Sequence, residues 1–369
     1  MITKYALRFG STKLGKAAAA VAALLLILSG CASAPLVEET KVMVWPPAPL
    51  PTRIRFVRNI VSEKDLKSDT TFSQSLVSFL TGEKLPEGRI AEPMGLAVSD
   101  DGDRLYVSDP MQHAVFAFDF KNKLFSKIEI GFPAGIALDA QENLYVVDTS
   151  KKSVAVFGRD GKMSGEITDP TLERPLGLAI DRLNGRVYVV DTGSRESKEH
   201  NVKIYSLQGK RLGAIGGAPS GDLGRFSYPT FVCVDDKGNV YVSDTLNARV
   251  QKFDSNGKFL THFGQMGSAW GEFDKPKGVA VDSFGNVYVV DSGWSNVQIF
   301  NPKGTILLFF GGRGPIPGML KNPISLAIDK QNRIYVGDYL NHRVAVYELV
   351  NTTAADSFVN PPPNPRGKN

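Results

Sequence analysis

One unit, used six times, constrains this chain more than any other feature. A Pro-opened apolar run is followed by a run of the form Tyr-Val-x-Asp. The first copy is Pro93-Met-Gly-Leu-Ala-Val98 with Leu105-Tyr106-Val-Ser-Asp109. The later copies open at Pro133, Pro175, Pro229, Pro276 and Pro323, and carry Tyr145, Tyr188, Tyr241, Tyr288 and Tyr335. A third apolar run follows each Asp, as in Arg249–Phe253, and a fourth opens near a Gly-Lys turn, as in Gly257–Phe263. Runs of four to seven residues, bounded by Gly, Asp and Asn and rich in β-branched and aromatic side chains, read as strands and exclude helices. Tyr-to-Tyr spacings of 39, 43, 53, 47 and 47 residues set the size of the unit. Four short strands per 40–50 residues is the pattern of a propeller blade, whose two faces can be buried only between neighbours in a ring.

On these residues the chain resembles the NHL-repeat family of six-bladed β-propellers over residues ~90–349, and bacterial NHL-repeat lipoproteins in particular. The expected fold is all-β, a six-bladed propeller spanning residues 53–350. The sixth unit ends at Val350 with no fourth strand after it. Thr52–Ile60 precedes the first unit and alternates like a strand. Residues 53–61 are therefore expected to complete the last blade and close the ring, removing an open edge.

The flanks read differently. Residues 1–30 hold four basic residues (Lys4, Arg8, Lys13, Lys16) and no acidic ones. A 12-residue apolar run, Ala17–Leu28, leads to Leu28-Ser-Gly-Cys31. That run has the length of an export signal core and is short for a membrane span. Leu-Ser-Gly-Cys resembles a bacterial lipobox, which implies cleavage before Cys31 and its lipidation, hence a lipid anchor to the membrane. Ala32 follows, which favours the outer membrane, facing the periplasm of a bacterial cell envelope. Residues 31–52 read as a Pro-rich tether with polyproline II character, a plain linker or a recognition motif. Residues 351–369 read as a disordered tail. Residues 62–90 interrupt the strands; Phe72, Leu76, Phe79 and Leu80 fall on one helical face, with Gly82 as a stop. That face either packs on the propeller or is offered to a partner or membrane.

The charge of +5 falls to +1 once residues 1–30 are set aside, which with export argues against nucleic acid as a partner. Two cysteines and four histidines leave little for a metal centre, and no cofactor is expected. Cys233, in an apolar strand, reads as a small buried hydrophobe rather than a nucleophile.

Loop lengths separate the two ends of the ring. Turns between first and second strands (Asp235–Asn239, Asp282–Asn286) and between third and fourth (Gly158–Gly161, Asp254–Gly257) are short and uniform. The second-to-third turns and the blade-to-blade connections vary, and share the opposite end. Function is placed there. The inner strands open onto it with Met94, Ala134, Leu176, Thr230, Lys277 and Ile324, and His113, Lys152, Trp294, Tyr339 and His342 are expected around them. The candidate binding face is thus Met94, His113, Lys152, Lys277, Trp294, Tyr339 and His342. His342 lies in Asn341-His-Arg-Val344, a tetrad common in NHL repeats that also reads as structural. Asp109 and its five equivalents recur in every blade and read as turn caps.

The resembled fold includes the peptidylglycine amidating lyase, whose zinc histidines follow the Pro of the inner strand. Here those places hold Met94, Ala134, Leu176, Thr230, Lys277 and Ile324, so that metal site is not expected. A calcium-dependent lactonase site would want channel carboxylates, and no nucleophile elbow or phosphate loop is present. The expectation is a non-catalytic binding or scaffold propeller for an envelope protein or glycan. The alternative is a lactonase-like or amidating-lyase-like propeller enzyme with an unrecognised channel site.

Overall fold

The structure, a computed structural model, describes residues 42–66, 88–194 and 196–353. Cys31, the helical segment read at 72–80 and most of the C-terminal tail lie outside these residues. The chain clusters into two units, Met1–Val42 and Met43–Asn369. The second unit is a six-bladed β-propeller with six antiparallel sheets. The six first strands, Gly95–Val98, Pro133–Leu138, Pro175–Asp181, Pro229–Val234, Pro276–Val281 and Pro323–Ile328, touch one another in a closed ring and line a central channel.

The repeat motif now has a physical reason. The Asp that ends a first strand caps the following turn: Asp235 accepts hydrogen bonds from the backbone N–H groups of Lys237 (3.0 Å) and Asn239 (2.8 Å). Its second oxygen accepts from Asn239 Nδ2 and from the Tyr241 hydroxyl, at 2.8 and 3.1 Å. Asp282 with Asn286 and Tyr288 repeats this arrangement, and Tyr335 donates to Asp329 in the same way. In the fourth, fifth and sixth blades the recurring spacing is thus a turn clamp, in which Tyr fills the sheet interface and its hydroxyl reaches the turn, whereas Tyr188 of the third blade donates to the Ser255 carbonyl of the fourth at 3.2 Å. The Asp of Tyr-Val-x-Asp holds the other end. Asp109 accepts from Ala91 and Glu92 N–H, Asp244 from Ser227, Asp291 from Asp274 and Lys275, and Asp338 from Lys321. Each fixes the connection that enters its own blade, as a cap would.

Inner-strand glycines set how tightly blades meet. A Cβ on Gly95 would lie 2.3 Å from the Ala134 carbonyl oxygen, and one on Gly135 2.5 Å from that of Leu176. Side chains are excluded there because adjacent inner strands approach backbone to backbone.

Ring closure is as the sequence indicates. Ile54–Ile60 pairs antiparallel with Arg343–Leu349, from Ile54↔Leu349 to Ile60↔Val344. The ladder skips one residue between Phe56 and Arg58, so Val57 is an extra, exposed residue. Strict alternation would put Ile54 and Ile60 on one face. The bulge instead lets Ile54 pack with Ile299 and Phe310 of the fifth blade and Ile60 with Leu105 and Phe116 of the first. One difference concerns the tether: Val44–Trp45, within residues 31–52, pairs with Ile54–Arg55 as a fifth strand. Trp45 sits 6.0 Å from the Phe310 ring and 5.8 Å from Tyr347, so aromatic packing draws this stretch onto the blade.

Candidate functional site

The long-loop end carries an unusual share of exposed apolar side chains. Met111, Leu246, Trp294 and Leu340 stand in second-to-third turns. Phe132, Leu223, Met266 and Ile316 stand in blade-to-blade connections. All eight are on this end, whereas within the short turns of the other end Leu183 is the one large exposed apolar side chain among the described residues. Trp294 is 44% exposed and anchored by its indole N–H, which donates to the Gly267 carbonyl at 3.0 Å. A large aromatic held rigidly at a surface loses little entropy on contact.

The other expected face residues separate into two groups. His113, Lys152 and His342 occupy equivalent left-handed positions, φ 49°, 55° and 55°, closing the turn before a third strand. The Nδ1 of His113 bonds the Gly131 carbonyl and that of His342 the Ala91 carbonyl, so both rings tie a turn to the following connection. The flanking Asn341 and Arg343 are structural as well. Asn341 Nδ2 donates to Asp338 at 2.7 Å, and Arg343 Nε at 2.8 Å. The Arg343 guanidinium also reaches the carbonyls of Pro315, Ile316 and Met319. Asn247 and Arg249 do the same around Asp244. Tyr339 is half-buried, and burial together with Glu92 and Asp109 pushes its hydroxyl up to about 12.

Met94 and Lys277 sit half-buried at the channel opening. Ala134 and Thr230, expected to open into the mouth, are buried, with Thr230 Oγ1 bonded to Thr245 Oγ1 at 2.7 Å. Burial, then Arg174 and Lys275, hold the Lys277 ammonium below the usual lysine range. Among the described residues no group of three or more His, Cys, Asp or Glu side chains is placed to hold a metal ion.

The sequence reading missed a concavity at the opposite end. A cavity of about 660 Å³ runs from the level of Leu96 to the short turns. Cys233 lines it partly buried and packed on the core between the fourth and fifth blades, and that burial pushes its thiol well above the ordinary range. At the rim, Arg182 of the third blade reaches Asp100 of the first at 2.7 Å, and Lys330 of the sixth meets the same carboxylate at 2.7 Å. The available signal was a departure from the repeat. The first blade has Ser99 where the others have their turn Asp, and Ser99 takes over the turn by donating to Asp101 and accepting from Arg104 N–H. Asp100 stands at the next position, the one that Arg182 and Lys330 hold in the third and sixth blades, and meets both across the mouth.

Comparison with known proteins finds propeller repeats along the chain. The NHL repeat family matches residues 226–253 and 320–347, the two stretches that contain the Asn-x-Arg clamps. A β-propeller repeat matches 274–301, and the SMP-30/gluconolactonase/LRE-like region matches 80–179. The protein brain tumor of Drosophila melanogaster is 30% identical over 137 residues, 36% of this chain and 12% of that protein. A probable peptidyl-alpha-hydroxyglycine alpha-amidating lyase of Caenorhabditis elegans is 31% identical over 116 residues, 30% of this chain and 31% of the other. The matched stretches thus span less than a third of these relatives. A gluconolactonase of Xanthomonas campestris superposes with a TM-score of 0.54 at 17% identity, covering 70% of this chain and 87% of that one. A streptogramin B lyase does so with 0.53 at 12%, covering 70% and 94%. These likenesses establish the fold.

Proposed function

We propose that this chain, an NHL-repeat six-bladed β-propeller, is a docking module of the bacterial cell envelope that binds a protein or glycan partner on its long-loop face. The observation that carries the reading is the gathering of eight exposed apolar side chains on that one end of the ring. Exposed apolar side chains carried on the loops of a rigid scaffold are what a binding face needs. Trp294 is its anchor, with Tyr339 beside the channel. The lipid on Cys31 holds the propeller at the outer membrane, facing the periplasm. The rigid blades present the loops and do no chemistry.

The test is a crosslinked pull-down from envelope membranes with wild type, Trp294→Ala and the Trp294→Ala/Tyr339→Ala double variant. Each truncation at a hot spot costs ~1–2 kcal/mol or more, which is roughly a 5- to 30-fold loss of captured partner. Identical partner profiles reject the docking face. The match of residues 80–179 to the gluconolactonase-like region, together with the cavity, favours a second reading as a channel enzyme. Turnover of a lactone or peptide library by purified protein with metal supplied would put that reading first.

A further inference from the structure

Three blade-to-blade connections share one build, and one of them is not filled in the way of the other two. Gly217–Pro229, Gly264–Pro276 and Gly311–Pro323 lead into the fourth, fifth and sixth blades and are equal in length. The same backbone bonds pin each. The N–H groups of Arg225, Glu272 and Met319 donate to the carbonyls of Asp222, Ala269 and Ile316 at 3.1 to 3.2 Å, and those of Ser220, Gly267 and Gly314 to Phe226, Phe273 and Leu320 at 2.9 to 3.2 Å. A Gln braces two of the loops alike. Gln251 accepts from Gly224 N–H and donates to the Arg225 carbonyl, and Gln298 accepts from Gly271 N–H and donates to the Glu272 carbonyl.

In the fourth and sixth blades an arginine fills the loop. Arg249 donates to Asp244 and to the carbonyls of Gly221, Asp222 and Arg225 at 2.8 to 3.3 Å. Arg343 donates to Asp338 and to the carbonyls of Pro315, Ile316 and Met319 at 2.6 to 3.2 Å. The fifth blade has Asn296 at this place, opposite Asp291 as Arg249 is opposite Asp244. The equivalent carbonyls are those of Ser268, Ala269 and Glu272, and an Asn side chain carries no guanidinium to meet them. The first and second blades have Ala114 and Ser153 here, but their connections are built differently, and in the third Lys203 meets Asp191 at 2.7 Å.

Three further observations mark this place. Asn296 Oδ1 is buried and has no hydrogen-bond partner, a costly state for an amide oxygen. Asn296 is part-exposed, whereas the longer Arg249 and Arg343 are buried at 8% and 6%, so the place opens to solvent. Glu272 stands where the sister loops have Arg225 and Met319, so the fifth loop has a carboxylate more as well as a cation fewer. The charged groups of this loop and turn are Glu272, Asp274 and Asp291 against Lys275 and Arg313. Asp291 is met by the backbone N–H groups of Asp274, Lys275, Gly293 and Trp294. Glu272 holds Ala269 N–H and Gln265. Arg313 Nη2 is on the Gly293 carbonyl at 3.1 Å, and Lys275 stands near Lys277 at the channel opening. Trp294 Nε1 makes to Gly267 the bond that Asn247 and Asn341 make to the carbonyls of Ser220 and Gly314, which puts its indole at the edge of the place.

We propose that the fifth blade binds a guanidinium group under the Gly264–Pro276 connection, on the carbonyls of Ser268, Ala269 and Glu272 and the Asn296 amide oxygen, beside Asp291. A planar cation with donors along its edges suits this set of oxygens, as it does in both sister blades, and an ammonium with three donors from one atom suits it less. The group comes either from a free guanidino compound or from an arginine of a chain docked on this end of the ring. Binding of the group needs no docked protein, so this assignment and the docking face can fail separately.

The Trp294 indole N–H is the reporter. The isotope-labelled full chain is titrated at constant ionic strength, and the indole resonance, assigned by its loss in Trp294→Phe, is followed by nuclear magnetic resonance. The probes are methylguanidinium and acetyl-arginine amide, with methylammonium as the comparison. Methylguanidinium is expected to shift the resonance at a concentration at least tenfold below that of methylammonium. Asn296→Arg supplies its own guanidinium; it should need at least tenfold more methylguanidinium and should melt at or above the wild-type temperature. Capped arginine binding at least as tightly as methylguanidinium supports an arginine on a chain as the source, and capped arginine binding at least tenfold more weakly supports a free compound. No shift with either guanidinium probe overturns the proposal, as does an equal response to methylammonium, and these arms need no variant to fold. A folded Asn296→Arg protein that binds methylguanidinium as wild type does overturns it too, since the group then binds elsewhere.

Discussion

The closing strand makes a demanding prediction, because its two buried ends face different blades. Ile54 and Ile60 are both fully buried, one against the fifth blade and the other against the first. Truncation to Ala removes three carbon groups, about 2.4 kcal/mol at ~0.8 kcal/mol per buried methylene. The cavity left behind adds to this, giving about 2–5 kcal/mol for each site. The two are six residues apart along a strand, about 20 Å, and share no cluster, so their effects should add within ~0.5 kcal/mol. Val57 between them is exposed, and Val57→Ala should change stability by no more than ~0.5 kcal/mol. Urea unfolding of wild type, the three single variants and the Ile54→Ala/Ile60→Ala double variant measures all four differences. If Ile60→Ala is as mild as Val57→Ala, the bulge does not turn Ile60 into the first blade and the register at Arg58↔Val346 is wrong. A double variant much less costly than the sum would show the strand leaving the sheet as one piece.

Two further outcomes concern the blades themselves. Gly95→Ala should cost about 1–3 kcal/mol, because its Cβ meets the Ala134 carbonyl, while Gly213→Ala, with nothing within 4 Å, should be neutral or slightly stabilising; melting temperatures decide. Burial pushes the Asp169 carboxyl up, but Thr171, Tyr205 and Arg211 outweigh it and hold the group well below the usual carboxylate range. A depressed folded-state value stabilises above the unfolded value near ~4 and is lost as pH falls below it. The stability gap between wild type and Asp169→Asn should therefore be level from pH 8 to 5 and shrink by pH 3, as read by urea unfolding; a gap unchanged at pH 3 refutes the assignment.

What the sequence shows of this fold is what repeats. The turn Asp of five blades and the strand-end Asp of all six recur because each solves a local hydrogen-bonding problem, and local problems leave local patterns. Even ring closure is legible, since a missing fourth strand and a surplus first one point at each other. Features made by contact between distant blades leave less trace. The pairing of Val44–Trp45 hides among prolines, because it depends on Phe310 and Tyr347 rather than on its own propensity. The bulge at Val57 is invisible without the partner ladder. His113 and His342 look like mouth residues, yet their turns direct them to neighbouring carbonyls. The Arg182–Asp100 contact spans two blades, and its trace is Ser99 standing where an Asp belongs.

The order of synthesis gives the closing strand a further consequence. Ile54–Ile60 is made before any blade, and its partner Arg343–Leu349 comes 284 to 295 residues later. At about 5–20 residues per second, translation of that interval takes roughly 15–60 s. Throughout it the closing strand has only the short Val44–Trp45 pairing and lacks its partner in the sixth blade. The ring locks only when the final few turns of chain arrive. Quality control of this protein is thereby concentrated in its last-made blade: a product cut short before Arg343 keeps five intact sheets and cannot close.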